Sequence, residues 1–176
     1  MDVTLRSLGS SDLPLMLAWA WIPQIWEYMP TSRKGENLKW EDHWTWFRKG
    51  AYFGNRLDWM ITVQERGVGV IHATLDTEYP EIGLYIGEVS LWGQGVGKRA
   101  LEIVMGKLST FGHKTTQAVI HPRNKRSIKL FTSLGFKEVG GARNGQRLYR
   151  YTLGGPEISI PIYEAQNRRS YQPVPA

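Results

Sequence analysis

The 176-residue chain contains no cysteine, which rules out a disulfide framework, a thiolate nucleophile and thiolate metal ligands. It also lacks any run approaching the roughly 18 to 20 apolar residues of a membrane-spanning helix. The N-terminus, Met1-Asp2-Val3-Thr4, carries an acid where a secretory leader wants bases, so a cytoplasmic protein is the expectation. The four histidines, His43, His72, His113 and His121, lack the close pairing of a metal-binding motif, and no metal is expected. Internal repeats and low-complexity segments are absent too. What is present is a globular composition, 41% apolar and 12% aromatic, with a net charge of +6 that would attract any polyanion.

The stretch that organises the chain is Trp92-Gly93-Gln94-Gly95-Val96-Gly97-Lys98. Three alternate glycines let backbone N–H groups converge, and the apolar, helix-periodic run Ala100, Leu101, Ile103, Val104 and Leu108 adds a helix N-terminus, so the segment reads as a phosphate cradle. A nucleoside-triphosphatase loop would need Gly where Trp92 stands and Ser or Thr where Arg99 stands. A dinucleotide fingerprint over 95–100 would need an acid near the end of the next strand, which instead closes on Ile120-His121-Pro122. Basic residues gather around and after the loop, at Lys98, Arg99, Lys107, Lys114, Arg123, Lys125, Arg126 and Lys129. A Gly-rich turn that only packs a helix on a sheet is the plain alternative.

Taken in order, Val3 to Arg6 alternates like an edge strand, and Ser10 or Ser11 is expected to cap a helix that buries Leu13, Met16, Leu17 and Ala20. Pro23 interrupts it, a short helical piece covers 24–28, and 30–35 is a polar loop. Trp40, Trp44 and Phe47 recur at i, i+4 and i+7, which predicts a helix over 38–48 with an aromatic stripe in the core. Strands over 58–64 and 68–75 form a hairpin turning at Glu65-Arg66-Gly67, and a third strand covers 81–86. After the glycine loop come a helix over 97–111, a strand over 115–120, a helix over 124–134 and a closing hairpin, 137–141 and 146–153. The order implies an α/β mixed sheet in a single domain over 1–155. Residues 156–176 are expected as a C-terminal extension, an extra strand or an arm against a second subunit in a homodimer.

The stretch from Glu81 to Gly140 resembles the GNAT superfamily of acyl-CoA-dependent N-acyltransferases, especially the branch of ribosomal-protein N-terminal and some aminoglycoside acetyltransferases. Trp92 to Gly97 is similar to the family's pyrophosphate loop, Asn124 to Phe131 to its second cofactor motif, and Leu134-Gly135-Phe136 to that motif's usual ending. The resemblance implies a mostly antiparallel central sheet, flanked by helices and splayed between the fourth and fifth strands, with acetyl-CoA as co-substrate. It assigns cofactor contacts to Ile86, Gly87, Gln94, Gly95, Val96, Gly97, Lys98, Asn124 and Ser127, and expects a backbone N–H near Gly87 to polarise the thioester carbonyl. The acceptor is implied to be a primary amine of a small molecule or a protein N-terminus, lying over Trp26, Tyr28 and the loop to Lys34. It attacks directly in a ternary complex, with no covalent enzyme intermediate.

Two positions depart from the family pattern. Phe131 replaces a tyrosine often used as general acid and has no proton to give, leaving Ser127 as the nearest hydroxyl. Glu81, Gly83 and Tyr85 share one strand face, and relatives that modify aminoglycosides carry an acid at the position of Gly83. Glu81 is the first candidate for the base and His121 the second, while His72 reads as a hydrogen-bonded core residue. The competing reading is a non-catalytic module that binds CoA or nucleic acid, motivated by these departures and the charge; nucleic acid is the less favoured partner, and a membrane is not expected.

Overall fold

A computed structural model of the chain describes residues 1–28, 40–41, 44–45, 47–48 and 54–153. The expected arm at 156–176 and the acceptor loop at 30–35 lie outside the described residues. Seven strands form one sheet in the order β1-β2-β3-β4-β5-β7-β6: β1 (Val3–Ser7), β2 (Arg56–Val63), β3 (Arg66–Thr74), β4 (Glu81–Ile86), β5 (Thr115–Ile120), β6 (Lys137–Gly141) and β7 (Arg147–Thr152). Every pairing is antiparallel except β4 with β5. No helix among the described residues is long and apolar enough to cross a membrane.

One face of the sheet is covered by α3 (Val96–Thr110) and α4 (Lys125–Ser133). Val96, Ala100, Leu101, Val104, Met105 and Leu108 fall on one side of α3 by the helical repeat, and all six are buried against Ile61, Ile71, Ala73, Ile82 and Ala118. Burying each larger side chain contributes roughly 1.5 to 3 kcal/mol, so this face holds most of the fold's stability. Both helices end the same way. Gly112 (φ +89°) and Gly135 (φ +91°) take the left-handed conformation, donating N–H to Ser109 and Thr132; the next residues, His113 and Phe136, donate to Leu108 and Phe131. That double bond caps the last turn, and in α4 the Phe131 and Phe136 rings meet edge to face at 4.9 Å. The Leu134-Gly135-Phe136 ending is therefore a helix stop with its own hydrophobic clasp.

The opposite face carries α1 (Leu13–Ala20) and the four-residue α2 (Pro23–Trp26), which set Leu13, Met16, Trp19 and Ile25 over Met60 and Val70. Neither Ser10 nor Ser11 caps α1. Asp12 stands at its N-cap with its carboxylate turned back, accepting the Gly9 N–H at 2.9 Å and held by Arg6 at 2.6 and 2.8 Å. Residues 40, 41, 44, 45, 47 and 48 are helical, but Trp40 and Trp44 are exposed and only Phe47 packs toward the core, so the expected buried stripe is corrected to one ring. The β2–β3 turn falls at Gln64 and Glu65, both at positive φ, one residue earlier than the sequence suggests.

Candidate active site

The sheet opens between β4 and β5. The two strands run parallel and meet only at Glu81 and Gln117, and beyond that point β5 is paired on its other side by β7 alone. The phase of the β3–β4 ladder decides what lines the gap. Gly87 donates its N–H to the Val68 carbonyl at 2.8 Å, and antiparallel pairing alternates, so Tyr85 and Gly83 also point their backbone groups toward β3. Leu84 and Ile86 therefore present theirs to the gap. The N–H of Glu88 is spent on the same Val68 oxygen at 3.2 Å.

The glycine loop folds onto the open end of this gap. Gly93 and Gly95 take positive φ (+77° and +85°), with none of the described residues near the place a side chain would occupy. Gly95 is the N-cap of α3 and offers no side chain to cap it; the first helical bond is Arg99 N–H to Gly95 O at 3.0 Å, so the N–H groups of Val96, Gly97 and Lys98 precede it. A Cβ on Gly97 would lie 3.3 Å from Leu84, which lets α3 approach β4 closely. The Trp92 indole donates to the Ile86 carbonyl at 2.8 Å and lies under the Arg126 guanidinium, 3.9 Å from the ring centre. Open left-handed glycines, a bare helix N-terminus and nearby Lys98 and Arg126 fit a pyrophosphate, and the unpaired edge of β4 fits an extended amide-bearing arm.

A polar strip crosses the α1 and α2 side of the sheet. Across neighbouring strands Asp58, His72 and Gly83 are paired in register, as are Glu81, Gln117 and Arg150 one step along. Burial raises the Asp58 carboxyl although the Nε–H of Arg56 is shared between its two oxygens at 2.8 and 3.0 Å. Burial also raises Glu81, opposed by Arg143 at 3.4 Å. His72 is lowered to about 4 by burial and by Arg56, so its imidazole is neutral near pH 7. The hydroxyl of Tyr85, Oε1 of Gln117 and Nε of Arg150 are buried without a hydrogen-bond partner among the described residues, and the Tyr85 phenol is raised by burial. No group of three His, Asp or Glu side chains among the described residues is arranged to hold a metal ion.

Residues 2–137 match the family model described as the acetyltransferase (GNAT) domain. The chain belongs to this family. An uncharacterised protein of Methanocaldococcus jannaschii is 37% identical over 156 residues, 86% of this chain but 31% of that protein, so the chain spans about a third of the curated relative it matches. The crystal structure of a domain from the same organism superposes with a TM-score of 0.79 at 36% identity, covering 86% of this chain and 99% of that one. An aminoglycoside acetyltransferase in complex with coenzyme A superposes at 0.76 with 16% identity, over 86% and 95% of the two chains, a likeness of fold.

Within this GNAT domain the predicted cofactor residues Ile86, Gly87, Gln94, Gly95, Val96, Gly97 and Lys98 converge on the open end of the gap. Gly87 has no N–H to offer a ligand, because it is bonded to Val68 and the Trp19 indole lies flat on its Cα, where a Cβ would be 2.0 Å from the ring. The side chain of Gln94 donates back to Ser90 O at 2.7 Å, and that of Val96 is core. Asn124 caps α4 by accepting the Ser127 N–H at 3.1 Å. His121 accepts the Arg123 N–H on Nδ1 at 3.2 Å, with its ring 5.4 Å from that of Tyr28, at the mouth of the gap. Glu81 lies at the closed end, about 17 Å along β4 from Ile86. Trp26 donates its indole N–H to Trp19 O at 3.2 Å and packs on Tyr85 at 5.8 Å. Phe131 is buried in the α4 clasp. Sequence reasoning passed over Asp58 and Gln117, whose strands gave no motif, and took His72 for a hydrogen-bonded core residue; among the described residues no hydrogen bond holds its imidazole.

Proposed function

We propose that the chain is an acetyl-CoA-dependent N-acetyltransferase acting on a primary amine of a small molecule or a peptide N-terminus. The observation that carries this is the unpaired β4 edge at Leu84 and Ile86 running directly into the bare N-terminus of α3. In this reading Gly95, Val96, Gly97 and Lys98 take the pyrophosphate, with Arg126, Asn124 and Ser127 flanking it. Acetyl-CoA supplies a thioester, whose carbonyl accepts the N–H of Leu84 or Ile86; Gly87 is excluded from that role by its bond to Val68.

The acceptor comes from the α1 and α2 side, past Trp26 and Tyr28. An amine with pKa near 10 must reach the carbonyl unprotonated, so it sheds a proton to a nearby group or to water. Glu81 and His121 flank the gap at its two ends, and both remain candidates for handling that proton; Ser127, in the first turn of α4, is the candidate donor to the leaving sulfur. Attack within the ternary complex forms the C–N bond as the C–S bond breaks.

Purified protein incubated with acetyl-CoA and a panel of spermine, kanamycin and a serine-led peptide is expected to release free thiol above the acceptor-free blank. Binding of CoA without thiol release on any acceptor would favour the non-catalytic module instead. If CoA does not bind and Gly95→Asp behaves as wild type, the reading is wrong. Steep loss of polynucleotide binding with salt would mark a nucleic-acid module.

A further inference from the structure

Gly83 and His72 interlock. They face one another across the β3–β4 ladder, and a Cβ built on Gly83 would lie 2.6 Å from Cε1 and 2.7 Å from Nε2 of the imidazole, but 3.5 Å from Nδ1. No real Cβ tolerates the first two distances, so the ring occupies the volume a side chain at position 83 would fill. It lies over Gly83 with its Cε1–Nε2 edge nearest that strand. Gly83 is the second residue of β4 past the point where Glu81 meets Gln117, hence where the gap begins. The imidazole edge thus stands about one strand spacing, near 5 Å, from the opening.

We propose that Nε2 of His72 is the atom that accepts the proton from the attacking amine. The inference rests on the acetyltransferase reading and deepens it. The amine lone pair forms the C–N bond, the C–S bond breaks, the thiolate leaves, and the nitrogen's extra proton passes to Nε2 and then to solvent.

The surroundings suit this role. From β2 the groups facing the ring are Asp58, directly opposite, and Arg56; from β4 they are Glu81 and the buried Tyr85 hydroxyl; from β5, Gln117. The helices over this face present Leu13, Met16, Trp19 and Ile25, none of them charged. Burial and Arg56 keep the ring unprotonated and also weaken it as a base, so it takes the proton only from a nitrogen already made acidic by the forming C–N bond and passes it on at once. Held by no hydrogen bond among the described residues, the nitrogen is uncommitted.

The test is a four-way comparison of wild type, His72→Ala, Gly83→Asp and the double variant, using spermine, kanamycin and a serine-led peptide with acetyl-CoA. Thermal melts identify any variant that fails to fold. His72→Ala should lower kcat at least tenfold with little change in the KM for acetyl-CoA. Gly83→Asp alone meets the ring and should also lose activity. In the double variant a carboxylate occupies the vacated volume, and kcat should recover several-fold over His72→Ala. A second readout does not depend on turnover: the 15N signal of His72 Nε2 should shift when acetyl-CoA is added, whereas a structural imidazole behind the strand would not respond. Wild-type turnover with unchanged kcat in His72→Ala would overturn the proposal and leave the acetyltransferase reading standing, as would loss of activity in Glu81→Gln alone. No thiol release from wild type on any acceptor would overturn both. If neither His72→Ala nor the double variant folds, the Nε2 signal decides.

Discussion

The two faces of this one sheet differ in how completely they are satisfied. Under α3 and α4, Ile61, Ile71, Ala73 and Ile82 meet Leu101, Val104 and Met105 in an apolar layer. On the other face, Gln117 and Arg150 stand in register on β5 and β7 and Tyr85 lies further along β4; a hydroxyl, an amide oxygen and a guanidinium nitrogen among them are buried with no partner among the described residues. Each such atom costs about 1 to 3 kcal/mol relative to one with a partner. A fold carries that cost where the groups have another use. The first face makes the domain stable, and the second keeps polar groups, glycines and a neutral imidazole beside the gap.

The comparison breaks or sharpens under four measurements. Leu101→Ala, on the stable face, should lose about 2 to 5 kcal/mol in urea unfolding while thiol release per folded molecule stays unchanged; a matching fall in turnover would show that the faces are not separable. On the polar face, His72 has its folded pKa, about 4, below the ordinary 6.5. The folded state therefore binds fewer protons between those values, so its contribution is intact above pH 6.5 and is lost as pH falls toward 4, by as much as about 3 kcal/mol. Asp58 and Glu81 are shifted upward and give slopes of the opposite sign, so the measurement is the difference between wild type and His72→Gln. The two melting curves should lie parallel above pH 7 and converge or cross toward pH 4.

Gly95→Ala comes next, forcing a Cβ into φ +85° at about 1 to 2 kcal/mol, with CoA affinity in calorimetry falling further than stability does. Tyr85→Phe is the smallest and has the reverse sign, since removing an unpartnered hydroxyl should stabilise the domain by up to about 1 kcal/mol. If the acceptor uses that hydroxyl, its KM rises in the same variant.

Much of the stable face was legible in sequence, because periodicity reports burial: β4 and β5 fall at their expected residues, and α3 within one. Gly112 and Gly135 were readable as stops because left-handed backbone favours glycine. The β2–β3 turn was misplaced because Gln64 and Glu65 take that conformation without any such residue to announce it. The polar face was harder to read. Asp58, His72, Gly83, Glu81 and Gln117 come from four strands, and only the register brings them side by side. Gly83 looked like a vacancy until the structure put an imidazole in it, and Gly87 looked like a donor until Val68 claimed its proton.

Trp92 fixes one more property of the gap. Its indole ties the glycine loop to the last carbonyl of β4 at 2.8 Å, so the loop and the strand end form one rigid mount. Five residues away the gap closes, where Glu81 meets Gln117. Between mount and stop β4 works as a ruler of about 17 Å. In the acetyltransferase reading proposed above, a thioester arm hung from the loop would be measured against that length, and an acyl chain overrunning it would meet the closed junction of two strands.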